Sequence, residues 1–314
     1  MAFDLPDVSD AGGAVTAAQL ARRNACILDH IKNKDYSIQW AHLDIPGPPA
    51  IRLTVFADAL MIGGVRVNVS AQLLQIIADL LGCMMLTPRI CDLMYLAAKA
   101  SGPVLLPSPQ PITSTTKAMI AHSARVDGYL ASVRDKLPMT PDGGAPLVQT
   151  VGKQWVVANE LQQKKVGTAE NYGWQFPGSS FGGSKFESSV TPPLRCIQGQ
   201  GWAHDITHVD YSQIAQLVWA RCTVDGEEKS LPEVLATDPQ VAKLLNHNGL
   251  LKVTRQPGVE KMSQADDPAA NAFKSAALIA GGAAMGTVIA PGVGTLLGGA
   301  AGVAADAVRK QYGF

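Results

Sequence analysis

In the stretch AVTAAQLARRNACILDHIKN, apolar side chains at Leu20, Ala25, Ile27, Leu28 and Ile31 fall at helical spacing, which predicts a helix with one buried face. The period then changes. AIRLTVFADALMIGGVRVNVS reads as two extended segments around Gly63-Gly64, a dipeptide suited to a hairpin turn. Ser70 caps a helix over AQLLQIIADLLG, and Thr87-Pro88 opens another across RICDLMYLAAKA. Proline at the first helical position gives up an N–H that has no intrahelical partner there in any case. Helices and short strands mix, so the pattern describes an α+β unit.

Farther along, GPVLLPSPQP (Gly102 to Pro111) is a connector, because proline cannot donate to a sheet ladder. The spacing predicts a longer helix over STTKAMIAHSARVDGYLASVRDKL, a loop at PMTPDGGAP and extended structure at LVQTVGKQWVVAN. FPGSSFGGSKFESSVTPP, rich in glycine and serine with few aliphatics, reads as a mobile loop, and LRCIQGQGW as a strand after it. QIAQLVWARC reads as a helix. Ser230 and Glu233 in SLPE have capping-box spacing, Asp238-Pro239 starts another short helix, and Gly249 suits its end.

These signals give mixed helices and short strands in one main globular unit over residues 15–260, with a sub-boundary near 102–111. A polar N-terminal arm (1–14) precedes it and a linker (261–274) follows. Residues 275–308 form the last unit. From Ser275 to Ala305 no side chain is charged, a run longer than the ~20 residues one membrane-spanning helix needs. Pro291-Gly292 divides it. Gly282 and Gly286, Gly294 and Gly298, and Gly298 and Gly302 repeat at the small-xxx-small spacing that lets helix backbones approach closely. A glycine-zipper helical hairpin is the expectation, inserted in a membrane or packed on the protein's own core or an oligomer partner. Homo-oligomers would form through this hairpin.

Composition narrows the function. The chain has 314 residues, with 26 basic and 26 acidic side chains, so it carries no basic field to recruit nucleic acid by counterion release. Its cysteines, Cys26, Cys83, Cys91, Cys196 and Cys222, contain no C-x-x-C pair and read as buried free thiols. MAFDLPDVSDAGGAV lacks the basic and apolar regions of a secretory signal, so the expected place of synthesis is the cytoplasm, with membrane association or delivery to the envelope afterwards. Neither G-x-G-x-x-G nor a P-loop occurs, and no nucleotide cofactor is expected.

Candidate chemistry concentrates in WAHDITHVDYSQ, Trp202 to Gln213. In an extended segment His204, His208 and Asp210 share one face and could hold one divalent metal, zinc first, leaving a position for a water. In a helix His204 and His208 still meet as i, i+4 neighbours, while Asp210 points elsewhere. Without metal, Asp210 would orient His208 as general base and Tyr211 would act as acid or oxyanion donor. Ser212 lacks the elbow context of an exposed nucleophile. The structural alternative makes Asp210 or Ser212 the N-cap of the helix that follows.

Around this cluster, Tyr172 and Trp174 in NYGWQ and Lys153 and Trp155 in VGKQW are candidate substrate-binding residues, set against ordinary core packing. His122 reads as a polar position on a helix surface, and Asp92 as a local partner of Arg89 or a turn cap. ADLLGCMMLTPRICDLMY, NYGWQ and HVDYSQ together resemble a bacterial family of uncharacterised proteins, across roughly residues 15–260. That family's pattern is Y-G-W followed downstream by V-D-Y-S and usually a histidine. Gln213 occupies the last place here, so the resemblance implies that any role of that histidine is absent or moved to His208 or His204.

The expectation is a hydrolase of a bacterial envelope polymer, peptidoglycan first. His204, His208 and Asp210 would bind a metal or form the acid–base set, with Tyr211 assisting. The rival expectation is a non-enzymatic virion, secretion-delivered or membrane-inserting assembly protein or toxin that works through its C-terminal hairpin.

Overall fold

The computed structural model describes residues 3–8, 15–101, 104, 114–137, 145–177 and 194–262. The helices are α1 (Ala17–Lys32), α2 (Ala71–Leu81), α3 (Pro88–Ala97), α4 (Thr116–Val133), α5 (Leu231–Thr237) and α6 (Pro239–Leu245). The strands before α4 are β1 (Trp40–Ile45), β2 (Ile51–Phe56), β3 (Met61–Ile62), β4 (Val65–Arg66), β5 (Cys83–Met84) and β6 (Ala100–Ser101). Those after it are β7 (Val148–Gln149), β8 (Lys153–Val156), β9 (Thr168–Pro177), β10 (Leu194–Asp205), β11 (Val218–Val224) and β12 (Glu227–Ser230). The class is mixed α+β. The glycine-zipper stretch, most of the proline-rich connector and the glycine- and serine-rich segment after Pro177 lie outside the described residues.

One antiparallel sheet has the order β1-β2-β11-β12, with β5 also pairing β11. Its central strand β2 is apolar and buried along nearly its whole length, since Ile51, Leu53, Val55 and Phe56 all lie in the core. Helix α2 packs on β5, and α1 on α2. The ends of α2 follow their sequence signals: Ser70 Oγ accepts from the Leu73 amide at 3.2 Å, and Gly82 closes the helix at φ +66°. Thr87 caps α3 with Pro88 at its first position, and Gly63-Gly64 turns the β3–β4 hairpin with both φ positive. One apolar cluster runs from Leu5 to Leu251.

Several elements differ from the sequence reading. Gln213 to Cys222 forms two isolated bridges, at Gln213 and Ile214, and then enters β11, not a helix. Residues 212–218 are all buried, so this segment lacks the alternation that marks a strand with one wet face. Ser230 closes β12 opposite Arg221 and makes no side-chain cap, so the capping box with Glu233 does not form. Asp238 does cap α6, accepting from Gln240 and Val241, but that helix ends at Leu245, before Gly249. Residues 3–8 of the N-terminal arm place Leu5 and Val8 in the core, and Val8 exchanges hydrogen bonds with Thr116 at the start of α4.

Candidate active site

A second antiparallel sheet, order β10-β9-β8, carries the candidate chemistry. Trp155 pairs with Asn171, Lys153 with Gly173, Gly201 with Asn171 and His204 with Ala169. Residues directly opposite in a ladder share a face. Lys153, Trp155, Asn171 and His204 therefore line one side, and Glu170 and Tyr172 the other.

Strand β10 stops at Asp205, where the chain turns. The Asp205 carboxylate accepts from Thr207 N at 2.7 Å and Thr207 Oγ1 at 2.5 Å, and the His208 amide donates to Asp205 O at 3.2 Å. This turn lays the His208 ring on that of His204, with centroids 3.9 Å apart and planes 10° from parallel. The two imidazoles thus meet through neither a continuous strand nor a helix. The fully buried Trp155 ring stands edge-on to both, 6.1 Å from His204 and 6.4 Å from His208. Its Nε1–H donates to Val69 O at 2.8 Å, which fixes the ring.

Asp210 lies buried in the turn that follows. Its Oδ1 accepts from Ser212 N at 2.8 Å and Ser212 Oγ at 2.6 Å, and its Oδ2 accepts from Lys153 Nζ at 2.7 Å. Asp210 is thus the hinge of the turn DYSQ, and its partner is Lys153. Ser212 Oγ is committed to the same carboxylate. The chain crossing is held by Lys153 N donating to Ser212 O at 2.9 Å.

Both imidazoles are held below the ordinary histidine range. For His204 burial is the main cause, with the neighbouring His208 and Lys153 adding to it and Asp210 and Asp205 opposing. For His208 burial again leads, Asp210 opposes it, and Lys153 reinforces it. Burial alone would raise the Asp210 carboxyl, but the charge and hydrogen bond of Lys153 and the bonds from Ser212 hold it low. The result is a half-buried neutral imidazole pair beside a fixed ammonium–carboxylate pair.

The rings bear on the metal expectation. A metal bound by an imidazole nitrogen lies near the ring plane, and two stacked, nearly parallel planes cannot share such a point. Asp210 is spent on Lys153 and Ser212. Among the described residues no three His, Cys, Asp or Glu side chains are grouped to hold a metal ion. A buried thiolate is also unsupported, because burial, with the charge of Asp92, pushes Cys196 up to about 12 against the pull of the Tyr172 bond. All five cysteines are free.

The remaining candidates separate. Tyr211 packs with His122 and Trp174, at centroid distances of 5.2 and 6.2 Å. His122 is buried, donating from Nε2 to Val104 O at 2.9 Å, so it is a core residue and not a surface one. Burial lowers its pKa to about 4. Tyr172 is buried on the far face and donates to the buried Asp92 carboxylate at 2.7 Å, and the charge of Arg89 also interacts with that carboxylate. Trp155, Tyr172 and Trp174 are all core side chains in this structure, and none offers a ring face to a polymer. Glu170 escaped the sequence reading, which placed His122 on a helix surface. Only the apolar neighbours of His122 in MIAHSARVD hinted at burial.

No protein-family model, curated protein or solved structure matches this chain.

Proposed function

We propose that the protein is a hydrolase of a bacterial envelope polymer, with peptidoglycan the first substrate to test, and that His204 and His208 form its acid–base pair. The observation that carries this reading is the stack of two neutral, half-buried imidazoles beside the Lys153–Asp210 ion pair. Neutral imidazole accepts a proton from water as it attacks, and the imidazolium so formed returns that proton to the leaving nitrogen or oxygen. The stack holds one proton far more readily than two, since a second charge would repel the first. Lys153, held in place by Asp210, supplies a fixed positive field for the negative charge that develops on the substrate. The ring geometry favours this metal-free form over the zinc form. The uncharged, glycine-rich run from Ser275 to Ala305 supports a substrate at the envelope.

The test is release of soluble fragments from purified sacculi by the full chain, read by mass spectrometry. Wild type should release fragments, and His208→Ala, folded by circular dichroism, should lose about a hundredfold or more of the rate. Absence of release by wild type, or equal release by the variant, defeats the proposal.

A further inference from the structure

Arg23, on α1, is fully buried. Its Nη1 donates to Ser114 O at 3.1 Å, just ahead of α4, which fixes the plane of the guanidinium. The other two nitrogens, Nε and Nη2, are buried and find no hydrogen-bond partner among the described residues. They are not scattered donors: Nε–H and Nη2–H point the same way and form one edge of the group. That edge matches the two oxygens of a single carboxylate.

The same protein shows what this edge takes elsewhere. Arg66, also buried, donates from Nε to Asp58 Oδ1 at 2.9 Å and from Nη2 to Asp58 Oδ2 at 2.6 Å. Arg52 does likewise to Asp44, at 2.6 and 3.0 Å. Arg221 sets both nitrogens on Glu228. Among the described residues no carboxylate makes a salt bridge with Arg23, and burial pulls its pKa down to about 10. An unpaired buried cation is among the costliest arrangements a fold can hold, and an arriving anion relieves it.

We propose that Arg23 is the core of a binding site for a small carboxylate, gripped in bidentate fashion by its Nε and Nη2 edge. The start of α4 adds a favourable field for negative charge. Three of its amides are already engaged, Thr116 N with Val8 O, Ala118 N with Thr115 Oγ1 and Met119 N with Thr115 O. The edge is sealed from solvent, so a ligand enters by local opening and equilibrates slowly.

The probe is sodium acetate against sodium chloride at matched ionic strength and pH 7, on the full chain after long incubation, read as the melting temperature. Acetate should raise Tm by about 3 °C or more over chloride in wild type. Arg23→Met should lose that response, and Arg23→Lys, which keeps the charge without the fork, should need about tenfold more acetate. Equal melting of wild type in the two salts overturns the site, as does an acetate response that Arg23→Met retains, which would mark an adventitious ion only.

Discussion

Lys153 Nζ lies 2.7 Å from Asp210 Oδ2, and only 13% and 12% of the two side chains is exposed. The contact joins β8 to the turn that follows the imidazole pair. Removing one member strands a charge in a poorly hydrated place. Lys153→Met should therefore cost about 3 kcal/mol of unfolding free energy. The double variant Lys153→Met/Asp210→Asn should lie within about 1 kcal/mol of wild type, since no charge is left unpaired. Urea unfolding at pH 7 measures both, and a Lys153→Met variant as stable as wild type would show that the carboxylate finds water instead.

The same pair tunes the histidines. Both have folded-state pKa values depressed below the unfolded value, so neutral imidazole is favoured in the folded protein. Their contribution to stability is present above the unfolded pKa and is lost as pH falls through the depressed folded one. Lys153 lowers both rings and Asp210 raises both. In NMR titrations of the imidazole Hε1 protons, Lys153→Met should move both midpoints up and Asp210→Asn should move them down. The acid limb of any hydrolytic activity should shift with them. Shifts in the same direction in both variants would contradict this electrostatic account.

Gly152 positions this site through its backbone. It sits at φ +119°, and a Cβ there would stand 2.4 Å from Ser212 O, the acceptor of the Lys153 amide. A backbone oxygen cannot swing aside as a side chain can. Gly152→Ala should therefore combine backbone strain of about 1–3 kcal/mol with displacement of the DYSQ turn. Tm should fall, and the His204 and His208 resonances should move. Unchanged histidine chemical shifts in a destabilised variant would separate stability from site geometry.

Local signals with a single cause were readable from sequence: the Ser70 and Thr87 caps, the Gly63-Gly64 turn and the cap by Asp238 depend on residues a few positions apart. QIAQLVWARC was not, because a strand covered on both faces loses its period of two and its apolar residues also fit a helix. In the site, the spacing of His204 and His208 is compatible with a meeting in either a strand or a helix. The turn that brings them together depends on Asp205 bonding Thr207, which hydrophobic periodicity does not register. The Lys153–Asp210 contact spans 57 positions and arises from the crossing of two chain segments, so no local pattern carries it. Asp92 shows the same limit in part, since Tyr172, which donates to it, is 80 positions away.

Glu170 provides the last test. It lies in β9 on the face away from the imidazoles, buried, with Oε1 accepting from Gln200 Nε2 at 2.7 Å. Burial pushes its carboxyl from 4.5 up to about 7, against the pull of the Gln200 bond. Between those values the folded protein keeps a proton that the unfolded chain releases. Stability from this group is therefore full below the unfolded pKa and is lost as pH rises through the folded one. The span amounts to a few kcal/mol, on the order of 3, from pH 4.5 to 7. Glu170→Gln keeps the acceptor for Gln200 and carries no charge at any pH. It should be more stable than wild type at pH 8, by an amount that shrinks toward pH 5. His122, depressed to about 4, acts in the opposite sense, so the variant's stability should climb with pH over the range where wild type flattens. Unfolding curves at pH 5, 6, 7 and 8 decide the matter, and a constant difference between the two proteins would mean that Glu170 is ionised throughout.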